Sequence, residues 1–546
     1  LNIISPCTVQ PGLPSTFRGT FRIDDDARAV YSESAGIMRL VPAAVALPAD
    51  ADDVASLCAW SLQTAVPLIP RGSGSSMTGA ALGSGVIVDL HRLRDHGAVD
   101  ADWQTLRVAP AITRTRADEL AREHDLRFPV DPSSSAFATI GGMTATNAAG
   151  ARTMAFGSMR RWVRSLECVF ADGSRGSVAR GRPAHPGNAL LDTWAGFADD
   201  FRQACRALPA HSYRKNSSGY ALREFGESGD LVDLLVGSEG TLAFFTSIEL
   251  TLAPLPGGTA SVLTGWSSLE AAMRGADLAR EAGAVACELL DATFLRIAEQ
   301  SGKSPIPPGA ECVLLVEFED SSDEAARARA RALGDASTRA GAPHLLLGLD
   351  PESAEALWAF RHAASPMLSR LDPWLRSMQI IEDACVPPER IADYIRGVRV
   401  ALEAERIRGV IFGHAGDAHV HVNALLDVRD PDWHARVQSL FDRVIDLTVA
   451  LGGTPSGEHG DGRLRTPVLD RFLSAEELAL CARLKSHFDP FRLLNPGVKV
   501  GAGEDPFATI KYDPELPPLS TRAGDVLRQV EQERAWDRCR LDLLGP

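Results

Sequence analysis

The stretch GHAGDAHVHVN, residues 413–423, holds three histidines within eight residues: His414, His419 and His421. Alternate residues of a strand share a face, so His419 and His421 point the same way, while His414 belongs to the preceding glycine-rich turn. Imidazoles approached from a turn and a strand together can reach one metal ion. A carboxylate is available elsewhere, from Glu458 in PSGEHGDGRLR, with His459 beside it. Neighbouring positions usually face apart, and the glycine-flanked GEHGDG supplies the sharp turn that both side chains need to serve one site. On residue types alone, a polar strand edge explains the same histidines, and both readings stay open.

Two glycine-rich stretches suggest a second chemistry. IPRGSGSSMTGAALGSGVIVDL carries Gly72, Gly74 and Gly79 directly after a strand-like run. A Rossmann turn would need a helix here, with a pyrophosphate on its N-terminus. The loop instead runs into the strand-like GVIVDL. What remains is a run of small residues whose N–H groups can curl around an anion, with hydroxyls from Ser73, Ser75, Ser76 and Thr78. The second stretch, FPVDPSSSAFATIGGMTATNAAGARTMAFGSMR, packs Gly141, Gly142, Gly150 and Gly157 among small hydroxyl and amide residues. One such stretch is a tight turn; two, 60 residues apart, favour a large polar cofactor held extended.

The elements that must position these residues fall into two textures. Over residues 40–255 short strand-like runs (AVPLIP, GVIVDL, SLECVFADG, AFFTSIELTLAPL) alternate with glycine-rich loops and a few helices such as ADDVASLCAWSLQ. Past APLPGG, longer helices (SLEAAMRGADLAREAG, SDEAARARARALGDASTRAG, PESAEALWAFRHAASPMLSRL) enclose the strands ECVLLVEFE, MQIIEDACV and RGVIFGH, which reads as a second α+β domain over 256–470. The net charge of −15, without a basic stripe, excludes a nucleic-acid surface. Nine scattered cysteines with no CxxC pair exclude an iron–sulfur or cysteine-zinc site and suit a reduced, cytoplasmic chain. No apolar run approaches the ~20 residues of a membrane span.

At these motifs the sequence resembles the FAD-binding domain of the vanillyl-alcohol oxidase (PCMH-type) superfamily. PRGSGSSMTG looks like its pyrophosphate loop, DPSSSAFATIGGMTATNAAG like its second flavin loop, and LVGSEGTLAFFTSIELTL like the strands that close the domain. The branch that fits is the FAD-linked D-lactate, glycolate and D-2-hydroxyglutarate dehydrogenases. The resemblance implies an α+β fold: an FAD domain of two α+β subdomains (40–255), a cap with an antiparallel sheet (256–470) and a return segment to the FAD domain (471–502), between an extension (1–39) and a tail (503–546). It implies that Arg71, Gly72, Ser73, Gly74, Ser75, Ser76 and Gly79 wrap the pyrophosphate. Asp131, Thr139, Gly141, Gly142, Thr144, Asn147 and Gly150 would line the flavin and ribityl chain, Glu239, Gly240 and Ile248 the adenosine side, and Asn495 the flavin region. By the same match His414, His421 and Glu458 bind a divalent metal, zinc or manganese, with His419 a neighbour. Arg361 grips the substrate carboxylate, with Ser365 and Asn423 as further substrate contacts.

The implied chemistry is oxidation of a small D-2-hydroxyacid to the 2-oxoacid. The metal makes the alcohol proton removable, His459, with an ordinary pKa of ~6.5, takes it, and the α-hydrogen leaves as hydride to flavin N5. Hydroxyglutarate-type relatives often carry a lysine two residues before the aspartate of the D-x-x-x-P strand; Ile381 precedes Asp383 here, which disfavours that substrate. The tail resembles the linker to an iron–sulfur domain in fused relatives, but no cluster motif follows. Electrons are therefore expected to leave to a separate acceptor: a quinone, cytochrome, electron-transfer flavoprotein or iron–sulfur protein. A homodimer, in the cytoplasm or peripheral to the membrane, is expected. The rivals are a flavin oxidase using O₂ and a metal hydrolase without flavin. Neither loop offers the histidine or cysteine that anchors flavin covalently in other members, so acid or heat denaturation is expected to release the yellow chromophore into the filtrate. Colour retained by the precipitate would refute non-covalent FAD.

Overall fold

The computed structural model describes residues 13–182, 188–300, 310–362 and 374–545. The first subdomain is a four-stranded sheet in the order Thr20–Arg22, Ala44–Leu47, Val86–Asp89, Leu68–Arg71, parallel except at its first pair. Its central strands are buried on both faces, as parallel strands generally are. Ala44, Ala46, Val86 and Val88 pack with Val54, Leu57 and Trp60 of helix Ala51–Thr64. Val45, Leu47, Ile69 and Ile87 pack on the other side with Val30 of helix Asp25–Val30 and Val526 of helix Thr521–Glu533. Thr20–Arg22 and helix Asp25–Val30, set apart above in an extension, thus form and cover part of this sheet, and the tail packs on the same outer face.

A second, antiparallel sheet follows in the order His96–Asp100, Thr105–Val108, Phe244–Thr251, Val163–Val169, Arg175–Ala179. Helix Ala475–Phe488 brings the return segment back onto its core through Leu480, Leu484 and Phe488. The cap is one large sheet with antiparallel pairing throughout, ordered His344–Gly348, Gly258–Trp266, Cys312–Asp320, Ala286–Asp291, Arg408–His414, His419–Asp427, Leu375–Met378. Helices Leu269–Glu281, Asp323–Arg339 and Ile391–Ala404 pack against it.

Two expected elements differ. MQIIEDACV is not one strand: Leu375–Met378 and Ala384–Cys385 both pair with His419–Asp427, and Glu382 and Asp383 turn out of the sheet between them. The Asp383 side chain takes up hydrogen bonds from another segment, and this holds the chain away from the ladder. The second glycine-rich stretch contains a short helix, Ile140–Thr146, capped by the Thr139 hydroxyl, which accepts from Gly142 N.

The N-terminal domain and the cap are locked by ion pairs at their junction. Glu317 and Glu319, alternate residues on one face of a cap strand, receive Arg152 Nε at 2.7 Å and Arg127 Nη1 at 2.7 Å, and Arg152 also binds Asp131. Removing one partner from such a cluster leaves buried charge uncompensated. Arg152→Met is therefore expected to lower the unfolding free energy by about 3 kcal/mol in a denaturant titration. Adding Glu317→Gln should restore part of it; a double variant weaker than the single would contradict this.

Candidate active site

One cavity of about 1530 Å³ receives residues from both domains. Gly72, Ser73, Gly74, Ser75 and Ser76 line it from the first loop, Asp131, Thr139, Gly141, Gly142 and Gly150 from the second, and Glu239 and Gly240 from the segment closing the domain. The cap contributes Arg361, His414, His421, Asn423, Glu458 and His459. Among the described residues, the backbone N–H groups of Ser73 through Thr78 donate to no protein acceptor. Five of these residues, Ser73 through Met77, stand at the cavity wall, and such a run of unspent amides is the donor set that a diphosphate needs, so the residues present fit a dinucleotide such as FAD. The two loops touch where Gly72 meets the Thr139 hydroxyl, so closely that a Cβ at Gly72 would collide with it.

Other residues singled out in the sequence stand behind this wall. Arg71 lines the cavity, but its guanidinium is spent on the carbonyls of Tyr31, Ala81 and Glu33, so it props the loop from beneath and does not wrap an anion. Gly79 packs on Met38, the Thr144 hydroxyl donates to Ile140 O at 2.8 Å, and the Asn147 side chain accepts from Arg160 N at 2.9 Å. Ile248 is core of the five-stranded sheet. Asn495 donates to Ala80 O and Glu239 O at 2.8 Å each, stitching the return segment to both cavity-lining regions. Ser365 lies outside the described residues.

On the cap side, His414 ends one strand, a single 3-10 turn (Ala415–Asp417) follows, and His421 lies on the next strand, opposite Phe412. His421 Nδ1 donates to Glu382 O at 2.7 Å, and His414 Nδ1 donates to Glu288 Oε1 at 2.5 Å. Both Nε2 atoms thus face inward, 3.2 Å apart, each 3.4 Å from Glu458 Oε1. Ligands at ~2.0–2.1 Å from a tetrahedral ion lie about 3.3–3.4 Å from one another. The three atoms therefore fit one divalent metal with a coordination position to spare. His419 stands at the edge of this cluster: its Nε2 pairs with Asp383 Oδ1 at 2.8 Å, and its Nδ1 is 3.5 Å from Lys215 Nζ and 3.9 Å from the other Glu458 oxygen, Oε2. Burial, with His421 nearby, pushes His419 down to about 3, so it is neutral.

Asp383 builds the turn that presents Glu458 and His459. Its carboxylate accepts from Ser456 Oγ (2.7 Å) and His459 N (2.9 Å), and its carbonyl accepts from Gly457 N (2.7 Å). His459 Nδ1 lies 3.2 Å from Glu382 Oε1, and Arg465 Nη2 donates to the other oxygen of Glu382 at 2.6 Å. Burial alone would lower the His459 imidazole, but Asp383 and Glu382 outweigh it and raise it to about 9.

Three residues that sequence reasoning did not single out complete the site. Glu288, fully buried in strand Ala286–Asp291, holds His414 and also accepts Arg361 Nε at 2.8 Å. Burial would raise its carboxyl, yet His414 and Arg361 hold it down at about 2. Lys215 donates to Glu458 Oε2 at 3.0 Å and to Gly150 O at 3.4 Å, joining the metal-type cluster to the second loop. Glu382 is the third. The available signal was an acid inside an apolar run, in ACELLD and IIEDAC, and a lone lysine before a turn in RKNSSG.

Residues 42–177 match an FAD binding domain, and residues 255–498 match the C-terminal domain of FAD linked oxidases. The chain is 30% identical over 461 residues to D-lactate dehydrogenase of Archaeoglobus fulgidus, across 83% of this chain and 90% of that protein. It is 29% identical over 486 residues to glycolate oxidase subunit GlcD of Bacillus subtilis, across 88% of this chain and 94% of that protein. Identity to D-2-hydroxyglutarate dehydrogenase of Escherichia coli is 30% over 504 residues, 86% of this chain but 49% of that protein. The solved structure of an alkyldihydroxyacetonephosphate synthase shares the fold at TM-score 0.60, with 14% identity over 87% of this chain and 82% of that one.

Burial would lower the His414 imidazole, and Glu288 outweighs it, raising it to about 9. Without metal His414 is thus protonated at neutral pH, and binding of Zn²⁺ at Nε2 must displace that proton. Calorimetric Zn²⁺ titration in buffers of different ionisation enthalpy is expected to show one proton released at pH 7 and none once the pH exceeds about 9. Glu288→Gln should abolish the release at pH 7; equal release at both pH values would rule out this pairing.

Proposed function

The chain belongs to the FAD-linked oxidases, and we propose that it oxidises a small D-2-hydroxyacid (D-lactate-, glycolate- or D-2-hydroxyglutarate-like) to the 2-oxoacid, with FAD, a divalent metal and a separate electron acceptor. One observation carries the reading: a single cavity joins five unspent backbone amides to three donor atoms at metal spacing, with an arginine beside them. The names of the D-lactate dehydrogenase and glycolate oxidase relatives support the substrate class. FAD held on Ser73–Thr78 and on the second loop would take up the electron pair, and zinc or manganese on His414, His421 and Glu458 would acidify the substrate hydroxyl.

The rest falls to side chains. Arg361 stacks over Phe412 at 4.7 Å and is fixed by Glu288, while its terminal nitrogens have no acceptor among the described residues. That leaves a planar fork for the substrate carboxylate, with Asn423, buried two residues beyond His421, as a further donor at the wall. Glu382 holds His459 by Nδ1, so Nε2 is the atom that takes the hydroxyl proton. Because Asp383 and Glu382 keep this imidazole protonated at neutral pH, proton transfer gains as pH rises towards about 9. The acceptor is proposed to be a quinone, cytochrome, electron-transfer flavoprotein or iron–sulfur protein. Among the described residues no helix is long and apolar enough to cross a membrane.

Anaerobic mixing of purified holoenzyme with a panel of D- and L-2-hydroxyacids tests the reading. A D-2-hydroxyacid should bleach the flavin absorbance, faster at higher pH; no bleaching by any member would overturn it. Stoichiometric hydrogen peroxide on admitting air would favour an oxidase, and a colourless hydrolase the metal-only rival. His459→Asn should slow bleaching by roughly 10²–10⁴-fold, with metal content and substrate affinity unchanged.

A further inference from the structure

Behind the first glycine-rich loop, the structure gathers more positive charge than the protein neutralises. Arg71 lies directly beneath Gly74, where a Cβ would collide with its guanidinium. Arg540, from the segment after helix Thr521–Glu533, is 2% exposed, and its Nη1 and Nη2 have no hydrogen-bond partner. It stacks over Trp536 at 4.8 Å, and Arg71, Tyr31, Asp89 and Glu531 are the groups that act on it electrostatically. Neither carboxylate is free to answer it. Glu531 is paired with Lys511 at 2.8 Å, and Asp89 accepts the Tyr31 hydroxyl and His91 N. Two buried guanidinium groups thus stand without an ion-pair partner among the described residues, at the base of a loop whose six amide N–H groups are also unanswered. A buried charge without a partner persists where something else compensates it.

The same C-terminal segment reaches the cavity itself. Glu531, Gln532 and Arg534 line it, Arg534 stands over the Phe137 ring at 5.4 Å, and Trp536 packs 6.4 Å from that ring. Phe137 belongs to the second glycine-rich stretch, so the tail touches that loop, while Cys539 meets Tyr31, whose ring carries Arg71 at the foot of the first. The tail lies beyond residue 498, where the match to the FAD-linked oxidase domain ends.

We propose that residues 521–545 are part of the dinucleotide site, with Arg540 and Arg534 supplying positive charge to the diphosphate held by the first loop. The inference rests on the flavin reading above and extends it to a segment that the family match does not include. The diphosphate removes the imbalance: an anion on the amides of Ser73–Thr78 answers Arg71 and Arg540 from the other side of the loop. Arg534 and Gln532 close the cavity at its rim.

The test uses the full chain stripped of flavin by high-bromide dialysis, refilled with FAD, and followed by flavin fluorescence with ADP as competitor. Arg534→Gln, at an exposed position, and Arg540→Met are each expected to weaken FAD and ADP by about tenfold or more and to flatten the dependence of binding on ionic strength. Riboflavin, which has no phosphate, should bind each variant as it binds the unaltered chain. A purely structural role would weaken riboflavin equally and would overturn the proposal, as would FAD and ADP binding unchanged in both variants. If Arg540→Met does not fold, Arg540→Gln takes its place, with the same expectation for ionic strength. An unaltered chain that takes up no FAD would sink the flavin reading. Inorganic pyrophosphate then decides the anion site alone: stabilisation in a thermal-shift assay that Arg540→Met or Arg540→Gln abolishes supports it, and no stabilisation refutes it.

Discussion

The carboxylate of Asp383 is the constraint on which the site depends. It is fully buried, and it accepts a histidine, a serine hydroxyl and backbone N–H groups from a segment about 75 residues away in sequence. Burial alone would push it towards its neutral form, yet His459, His419 and Arg465 hold it well below the usual carboxylate range. One anion thereby sets three things: the turn from Ser456 to His459, the orientation of the His419 ring, and the presentation of Glu458 and His459 on neighbouring positions. Were it neutral, the glycine-flanked turn would lose its acceptor and the carboxylate and imidazole their common direction.

Charge is handled in layers around this hub. Glu458 faces His414 and His421 with one oxygen and Lys215 with the other. Glu288 spends one oxygen on His414 and one on Arg361, so a metal-type ligand and a substrate-type cation share one anchor. Such sharing ties the spacing of the two groups to a rigid strand and keeps it independent of mobile surface side chains.

The histidines, Glu458, the two glycine loops and the two-domain layout were legible because each is written locally: a strand period, a glycine-flanked turn, a run of small residues. What stayed hidden is written across the chain. Glu288 reads as one acid in a buried strand, and only its register opposite His414 gives it a role. Asp383 was hidden inside an apparent strand because its hydrogen bonds come from residues 456–459. Arg71 sits in the right motif, yet its neighbours from residues 31–33 turn it into a prop. Thr144, Asn147, Ile248 and Asn495 do not reach the cavity wall, since motif spacing locates a loop without fixing which side chains face inward. Residues 521–545 carry no local motif at all, and their place follows only from apolar packing on the first sheet.

The return of the chain also fixes an order of events during synthesis. Leu68 N donates to Leu493 O, Lys499 pairs with Glu239 at 3.1 Å, and Cys539 lies 3.8 Å from the Tyr31 hydroxyl. The outer face of the sheet that begins at residue 20 therefore cannot be covered on the ribosome until more than 500 residues have been made. The cap, contiguous from 258 to 427, can fold first, while the earlier domain waits, open on its outer face. Apolar strands such as Val86–Asp89 spend that interval partly uncovered, the stage at which a growing chain is most exposed to aggregation and to chaperone capture.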